Sequence, residues 1–283
     1  MSLCLLCHTC KRIKTFKSHD LCLFVARGDT MEAEFLTDRG RIRAHNEDAG
    51  GTYYNLSGQL LAVIADGMGG HKAGDVASQT AVSIIQEKWQ QMTEIATPEQ
   101  CETWLLNILA EINATLYEQS LTYKAYEGMG TTAVIVISTA DYITVAHIGD
   151  SRCYMYNENG LRQITEDHSL VNELIRSGQI TKEDALNHPR KNVVLKALGI
   201  EKEVTADISS LNWKEDDKLL LCSDGLTDKV LDNELASFLQ MDVHIKKIGE
   251  KLIDLANERG GEDNISLVII NHQSAAKEGD MTC

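Results

Sequence analysis

Five acidic motifs stand where apolar runs end or begin: Asn46-Glu47-Asp48, Asp66-Gly67, Gly149-Asp150, Asp224-Gly225 and Asp263-Asn264. One such pair by itself means a turn, because Asp, Asn and Gly favour turns for local hydrogen-bonding reasons. Five of them on different strands of one domain could converge at one sheet edge. Converging carboxylates raise one another's pKa values and cannot all ionise unaided. A hard divalent cation resolves that conflict, and oxygen-only ligation suits Mg²⁺, Mn²⁺ or Ca²⁺ better than zinc or copper. Two such ions about 3.5–4 Å apart can clamp a phosphoryl group and supply hydroxide near neutral pH. The expected chemistry is direct hydrolysis of a phosphate ester.

Basic residues fit that chemistry. Arg43 precedes Glu47 and Asp48 by four and five positions, and guanidinium is a bidentate partner for a phosphate dianion. Arg39, Arg41 and Arg43 alternate, so an extended segment would place them on one face. Arg39 and Arg41 read as a solvated stripe. His71 follows the Asp66 turn and has the near-neutral titration needed to protonate a leaving alkoxide. His147, inside an apolar run, reads as a packed strand residue.

The elements that must position these residues are legible in the patterning. Strands are expected at 33–39, 60–66, 131–138, 142–148, 151–157, 217–223 and 264–271. Several are nearly continuous apolar runs, which implies cover on both faces. Ala73, Val76, Ala77, Thr80, Ala81, Ile84, Ile85 and Trp89 recur at helical spacing, as do Leu105, Ile108, Leu109, Ile112 and Leu116. Thr97 is placed to cap the second of these helices, with Pro98 at its first position and Gln100 closing a capping box. Shorter helices are expected at 169–177, 181–187, 231–240 and 242–257. Strands and helices come in consecutive groups instead of alternating. That favours an α+β fold of antiparallel sheets with helices packed outside.

Composition bounds the rest. The 283 residues are 43% hydrophobic and 24% charged, which is ordinary for a globular protein. A formal net charge of −15 argues against a nucleic-acid partner. No stretch approaches the roughly 20 apolar residues that span a bilayer, so no membrane insertion and a cytoplasmic location are expected. Residues 1–30 carry five basic and two acidic residues, a net of +3, against −18 for the remainder. We expect an N-terminal extension there, disordered or from a non-native start, then one domain over 31–273 and a tail over 274–283. Cys4, Cys7 and Cys10, with His8 and Cys22 nearby, have metal-like spacing. They lack the strand and turn signals that would build a knuckle around an ion.

Six motifs carry a family resemblance. They are RIRAHNEDA (41–49), VIADGMGGHKAG (63–74), GMGTTAVIV (128–136), AHIGDSRCYMY (146–156), LLLCSDGLTD (219–228) and EDNISLVII (262–270). In order and spacing they resemble the PPM (protein phosphatase 2C-like) metal-dependent serine/threonine phosphatases. The bacterial branch is the nearest match, through DGMGGH and the stretch 165–192. The resemblance implies an α-β-β-α sandwich, two antiparallel sheets flanked by helix pairs, with two Mn²⁺ or Mg²⁺ ions between them. By motif, Asp66 would bridge both ions, Glu47 and the Gly67 carbonyl would complete one site, and Asp224 and Asp263 the other. Asp150 would hold a third, weaker ion together with Asp224. Asp48 would orient the attacking water, Arg43 would bind phosphate and His71 would act as general acid. Residues 165–200 correspond to a mobile flap beside the site. The implied substrates are phosphorylated proteins, among them a PASTA-type Ser/Thr kinase that the phosphatase opposes, and a monomer is expected.

Three other readings compete. A dinucleotide fingerprint needs a third glycine where Lys72 stands, and Asp66 would repel pyrophosphate. An aspartyl-phosphate phosphatase needs a second aspartate where Met68 stands. A pseudophosphatase binding module on the same fold would be expected to lose carboxylates, and every matched ligand is present.

Overall fold

The computed structural model describes residues 30–70, 73–186 and 188–273. The N-terminal extension with its four cysteines, the tail from residue 274, and His71 lie outside the described residues. The chain begins with strands β1 (Thr30–Asp38), β2 (Asp48–Tyr54) and β3 (Leu60–Met68), followed by helices α1 (Ala73–Gln91) and α2 (Pro98–Thr122). Strands β4 (Gly130–Thr131), β5 (Ala133–Ser138), β6 (Tyr142–Ile148), β7 (Arg152–Asn157) and β8 (Gly160–Gln163) come next. Two short helices, α3 (Leu170–Arg176) and α4 (Lys182–Leu186), lead to strands β9 (Asp207–Asn212) and β10 (Lys218–Cys222). Helices α5 (Asp224–Thr227), α6 (Asp232–Leu239) and α7 (Ile245–Glu258) precede the last strand, β11 (Ile265–Gln273).

The strands form two antiparallel sheets. One has the order β1-β11-β10-β7-β8; the other has β2-β3-β5-β6-β9, with β4 pairing on β3. Alternation along each strand explains why the runs are apolar throughout. On β3, Leu61, Val63 and Ala65 face α1 and α2, where they meet Ala77, Ile85, Trp89, Leu105 and Ile112. Leu60, Ala62 and Ile64 point the other way and meet Leu219, Leu221, Val268 and Ile270 of the opposite sheet. Leu220, Leu267 and Ile269 turn outward against Leu235, Leu239, Ile248 and Leu252 of α6 and α7. The result is the expected α-β-β-α sandwich with three apolar layers. Each fully buried Leu or Ile contributes about 1.5–3 kcal/mol to it.

Local signals act as expected at α2. The Thr97 hydroxyl accepts from Gln100 N–H at 3.4 Å, and Pro98 opens the helix. The Gln100 side chain reaches one residue further back than a capping box, accepting from Ala96 N–H at 2.9 Å. Three strands were not visible in the pattern. β2 (DAGGTYY) carries two glycines and a carboxylate, β8 has four residues, and β9 (DISSLN) is polar and half exposed. Thr132 interrupts the expected 131–138 strand, which becomes β4 and β5. The extended segment assumed for Arg39, Arg41 and Arg43 is instead a bent loop opened by Gly40 at φ 79°, so alternation does not set those side chains. Among the described residues no helix is long and apolar enough to cross a membrane.

Candidate active site

Each sheet contributes half of one acidic cluster. Asp48, the first residue of β2, lies opposite Asp66 of β3 in the antiparallel register. Asp224 follows β10 as the first residue of α5, and Asp263 sits in the turn before β11. Asp150 sits between β6 and β7, where the chain crosses from one sheet to the other. Its turn depends on Gly149 at φ 103°, a conformation that side-chain-bearing residues rarely adopt.

The electrostatics record this crowding. Burial pushes the Asp66 carboxyl well above its ordinary value, with the charges of Asp48, Asp224, Asp150 and Asp263 adding to the effect. Asp224 is raised for the same reasons, by burial and then by Asp150, Asp263, Asp228 and Asp48. Burial raises Asp48 to about 6, with the nearby Ser266 and Ser223 hydroxyls opposing the shift. Burial and the Asp167 charge raise Asp150 to about 6. Glu47 is raised by burial, with Arg43 opposing. Asp48 Oδ1 and Asp224 Oδ1 are buried with no hydrogen-bond partner among the described residues. Buried carboxylate oxygens left unpaired cost the folded state heavily, so this donor set suits a cation.

Gly67 shows how closely the backbone must approach. Its N–H donates to Glu47 O at 3.1 Å, and a Cβ at position 67 would collide with the Gly74 carbonyl at the start of α1. A Cβ on Gly74 would meet the Gly67 carbonyl oxygen at 2.8 Å and the Glu47 carboxyl carbon at 3.1 Å. The Gly67 carbonyl and the Glu47 carboxylate therefore lie side by side, in a space that only glycine leaves open. Thr132 Oγ1 accepts from Asp66 N–H at 3.0 Å, and Thr131 Oγ1 donates to Asp66 O at 2.9 Å, which fixes the strand beneath.

The loop carrying Arg43 and Glu47 is held by Asn264, which is buried. Its Oδ1 accepts from Glu47 N–H at 2.7 Å, and its amide donates to Arg39 O and His45 O at 2.8 and 3.0 Å. Asn264 stands beside Asp263 in the sequence, but its partner Glu47 lies 217 residues away, so no local signal marks this bracing role. Arg43 Nη2 pairs with Asp263 Oδ2 at 2.5 Å. Both side chains are partly exposed, so the pair is weak and the guanidinium can change partners. Arg39 and Arg41 are exposed.

A cleft of about 1000 Å³ opens beside Asp150 and Asp224. Residues from the 165–200 segment line one side, and Asp228, Val230 and Leu231 the other. Lys191 Nζ bridges it to Asp228 at 2.6 Å. The segment is anchored by Arg152, whose Nε and Nη2 donate to Asp167 at 2.9 and 2.7 Å.

A second group, His147, His168 and Asp207, brings one nitrogen or oxygen of each residue within 4.8 Å. It fits a cation poorly. His168 Nδ1 accepts from Gly149 N–H at 3.1 Å, so its proton sits on Nε2, the nitrogen that faces Asp207 at 3.4 Å. The two imidazoles stack with centroids 4.8 Å apart and planes 11° apart, so their lone pairs do not converge. His168 also donates its backbone N–H to Gly149 O at 2.9 Å. The group braces the Asp150 turn against the root of the 165–200 segment. His147 is a buried strand residue, as expected.

A profile described as Protein phosphatase 2C matches residues 40–264. The chain is 46% identical over 250 residues to the serine/threonine phosphatase stp of Listeria welshimeri, covering 88% of this chain and 99% of that one. It resembles the crystal structure of the serine/threonine phosphatase Stp1 from Staphylococcus aureus with TM-score 0.83 at 40% identity, over 88% of this chain and 97% of that one. It is also similar to the catalytic domain of the serine/threonine protein phosphatase PstP in complex with two manganese ions. There the TM-score is 0.75 at 31% identity, over 86% of this chain and 99% of that one.

Proposed function

The chain belongs to the protein phosphatase 2C family, whose members are metal-dependent, and is a protein serine/threonine phosphatase; from that premise we propose how its residues divide the work. Glu47, Asp66 and the Gly67 carbonyl would hold one divalent cation, and Asp66, Asp224 and Asp263 the second. Asp150 and Asp224 offer a weaker third position. Mn²⁺ or Mg²⁺ there would polarise the phosphoryl oxygens and lower the pKa of water. Asp48 orients the attacking water. Arg43 leaves Asp263 to bind the phosphate dianion of phosphoserine or phosphothreonine. His71 donates a proton to the departing alkoxide. The observation that carries this reading is the convergence of carboxylates from both sheets, two of them with a buried, unpartnered oxygen.

The physiological setting rests on the family resemblance alone. It is a cytoplasmic, monomeric enzyme that reverses a PASTA-type Ser/Thr kinase and that kinase's soluble substrates. Residues 31–273 form the catalytic domain.

Hydrolysis of a phosphothreonine peptide tests the mechanism. Activity is expected with Mn²⁺ and is expected to vanish with excess chelator; turnover that survives chelation would overturn the metal reading. His71→Ala tests the proton donor. It should slow alkyl phosphates about 10²-fold or more, while aryl phosphates with good leaving groups lose little. An equal loss on both substrates would remove His71 from the acid role.

A further inference from the structure

Asp48 is 8% exposed, and its two oxygens have different surroundings. Oδ2 accepts from the Ser223 hydroxyl at 2.8 Å, whereas Oδ1 has no partner among the described residues. The Ser223 oxygen in turn accepts from Ser266 N–H at 3.0 Å. With a lone pair engaged by that amide, the hydroxyl proton is left to point at the carboxylate. A second path leads back to the same residue. The Ser266 and Thr37 hydroxyls are bonded at 2.8 Å, and Asn46 Nδ2 donates to Thr37 Oγ1 at 2.8 Å. Asn46 Oδ1 accepts from Asp48 N–H at 3.2 Å.

The position of Ser223 makes its choice of partner informative. It stands at the N-cap of α5, where a serine hydroxyl ordinarily accepts from the first-turn amides, yet it makes no capping bond. Ser223 is fully buried between the end of β10 and β11, so its hydroxyl is not there for solvent. It spans from one sheet to the other and holds a carboxylate whose terminal torsion is otherwise broad.

We propose that Ser223 is a positioning residue: it pins Oδ2 of Asp48 so that Oδ1 faces the attacking water. The inference rests on the reading of Asp48 given above. A supporting hydrogen bond of this kind is worth about 10- to 100-fold in activity, because reacting groups must be held within fractions of an ångström.

A double-mutant cycle tests it. Wild type, Ser223→Ala, Asp48→Asn and the double variant are assayed as full chains on a phosphothreonine peptide with saturating Mn²⁺. Mn²⁺ binding is followed by calorimetry and folding by thermal melting. Ser223→Ala is expected to lower kcat about 10- to 100-fold with KM and Mn²⁺ stoichiometry unchanged. In the Asp48→Asn background the same substitution should cost less than about twofold. Ser223→Cys, which keeps a side-chain atom at that position but offers only a weak donor, should still show most of the kcat loss seen for Ser223→Ala. Equal losses in both backgrounds, or a loss carried by metal binding or KM, would overturn the role of Ser223 alone. If Asp48→Asn itself costs little, the assignment of Asp48 falls, and that of Ser223 with it.

Discussion

Asp224→Ala is expected to lower kcat on a phosphothreonine peptide by about three orders of magnitude and, without metal, to raise the melting temperature. Both effects come from one fact: Asp224 lies among Asp150, Asp263, Asp228 and Asp48, and it is raised well above an ordinary carboxylate by burial and their charges. Under the proposed ligand set it serves two cation positions, so its loss empties one and weakens the other. In the metal-free protein the same carboxylate is only a repulsive neighbour. Removing it relieves that repulsion and the cost of burying the charge, so Tm rises. A merely structural aspartate would show the opposite pattern, with Tm falling and activity following it. A variant that keeps a tenth of wild-type activity at saturating Mn²⁺ would exclude Asp224 from the centre.

The metal-free protein should also lose stability as pH rises from about 4 to 6.5, and Mn²⁺ should abolish that slope. Asp48 and Asp150 titrate at about 6 in the folded chain, raised from an ordinary 3.8. Folding therefore tightens their hold on protons. Below about pH 3.8 both folded and unfolded chains are protonated and no penalty arises; above about 6 the penalty is complete. It amounts to on the order of 3 kcal/mol for each group. Glu234 has the opposite sign, because hydrogen bonding to Arg259 holds it at about 2. Its stabilisation is lost only as pH falls through and below the ordinary glutamate range, outside the window in question. A cation binding only the folded state adds about 4 kcal/mol at a thousandfold excess over its Kd. Urea melts at pH 4.5, 5.5, 6.5 and 7.5, with chelator and with Mn²⁺, measure this directly. Metal-free stability that rises across that window would refute the assignment of a strained acidic cluster.

The sequence carried the architecture well because the strands at 60–68, 133–138, 218–222 and 265–273 are buried on both faces and read as unbroken apolar runs. It carried β2 and β9 poorly. The first spends two positions on glycine, and the second lies at a sheet edge with polar side chains, so neither shows hydrophobic periodicity. At the site, carboxylates were legible because turns at strand ends are local events and their chemistry is distinctive. The groups that hold them were not. Asn264, Ser223, Thr132 and His168 act on partners far away in the chain, and nothing in the neighbouring residues announces such bonds. Arg43 was legible as a phosphate ligand by type; its pairing with Asp263 became visible only in three dimensions.

The division of the acidic cluster between the two sheets has a mechanical consequence. Asp48 and Asp66 belong to one sheet, Asp224 and Asp263 flank strands of the other, and Asp150 occupies the crossing between them. Neither sheet alone can assemble the centre, so the ions would act as a rivet through the sandwich. Sliding or parting of the layers would dismantle the ligand set before either sheet frayed. Catalytic competence would then report whether the two layers are in register.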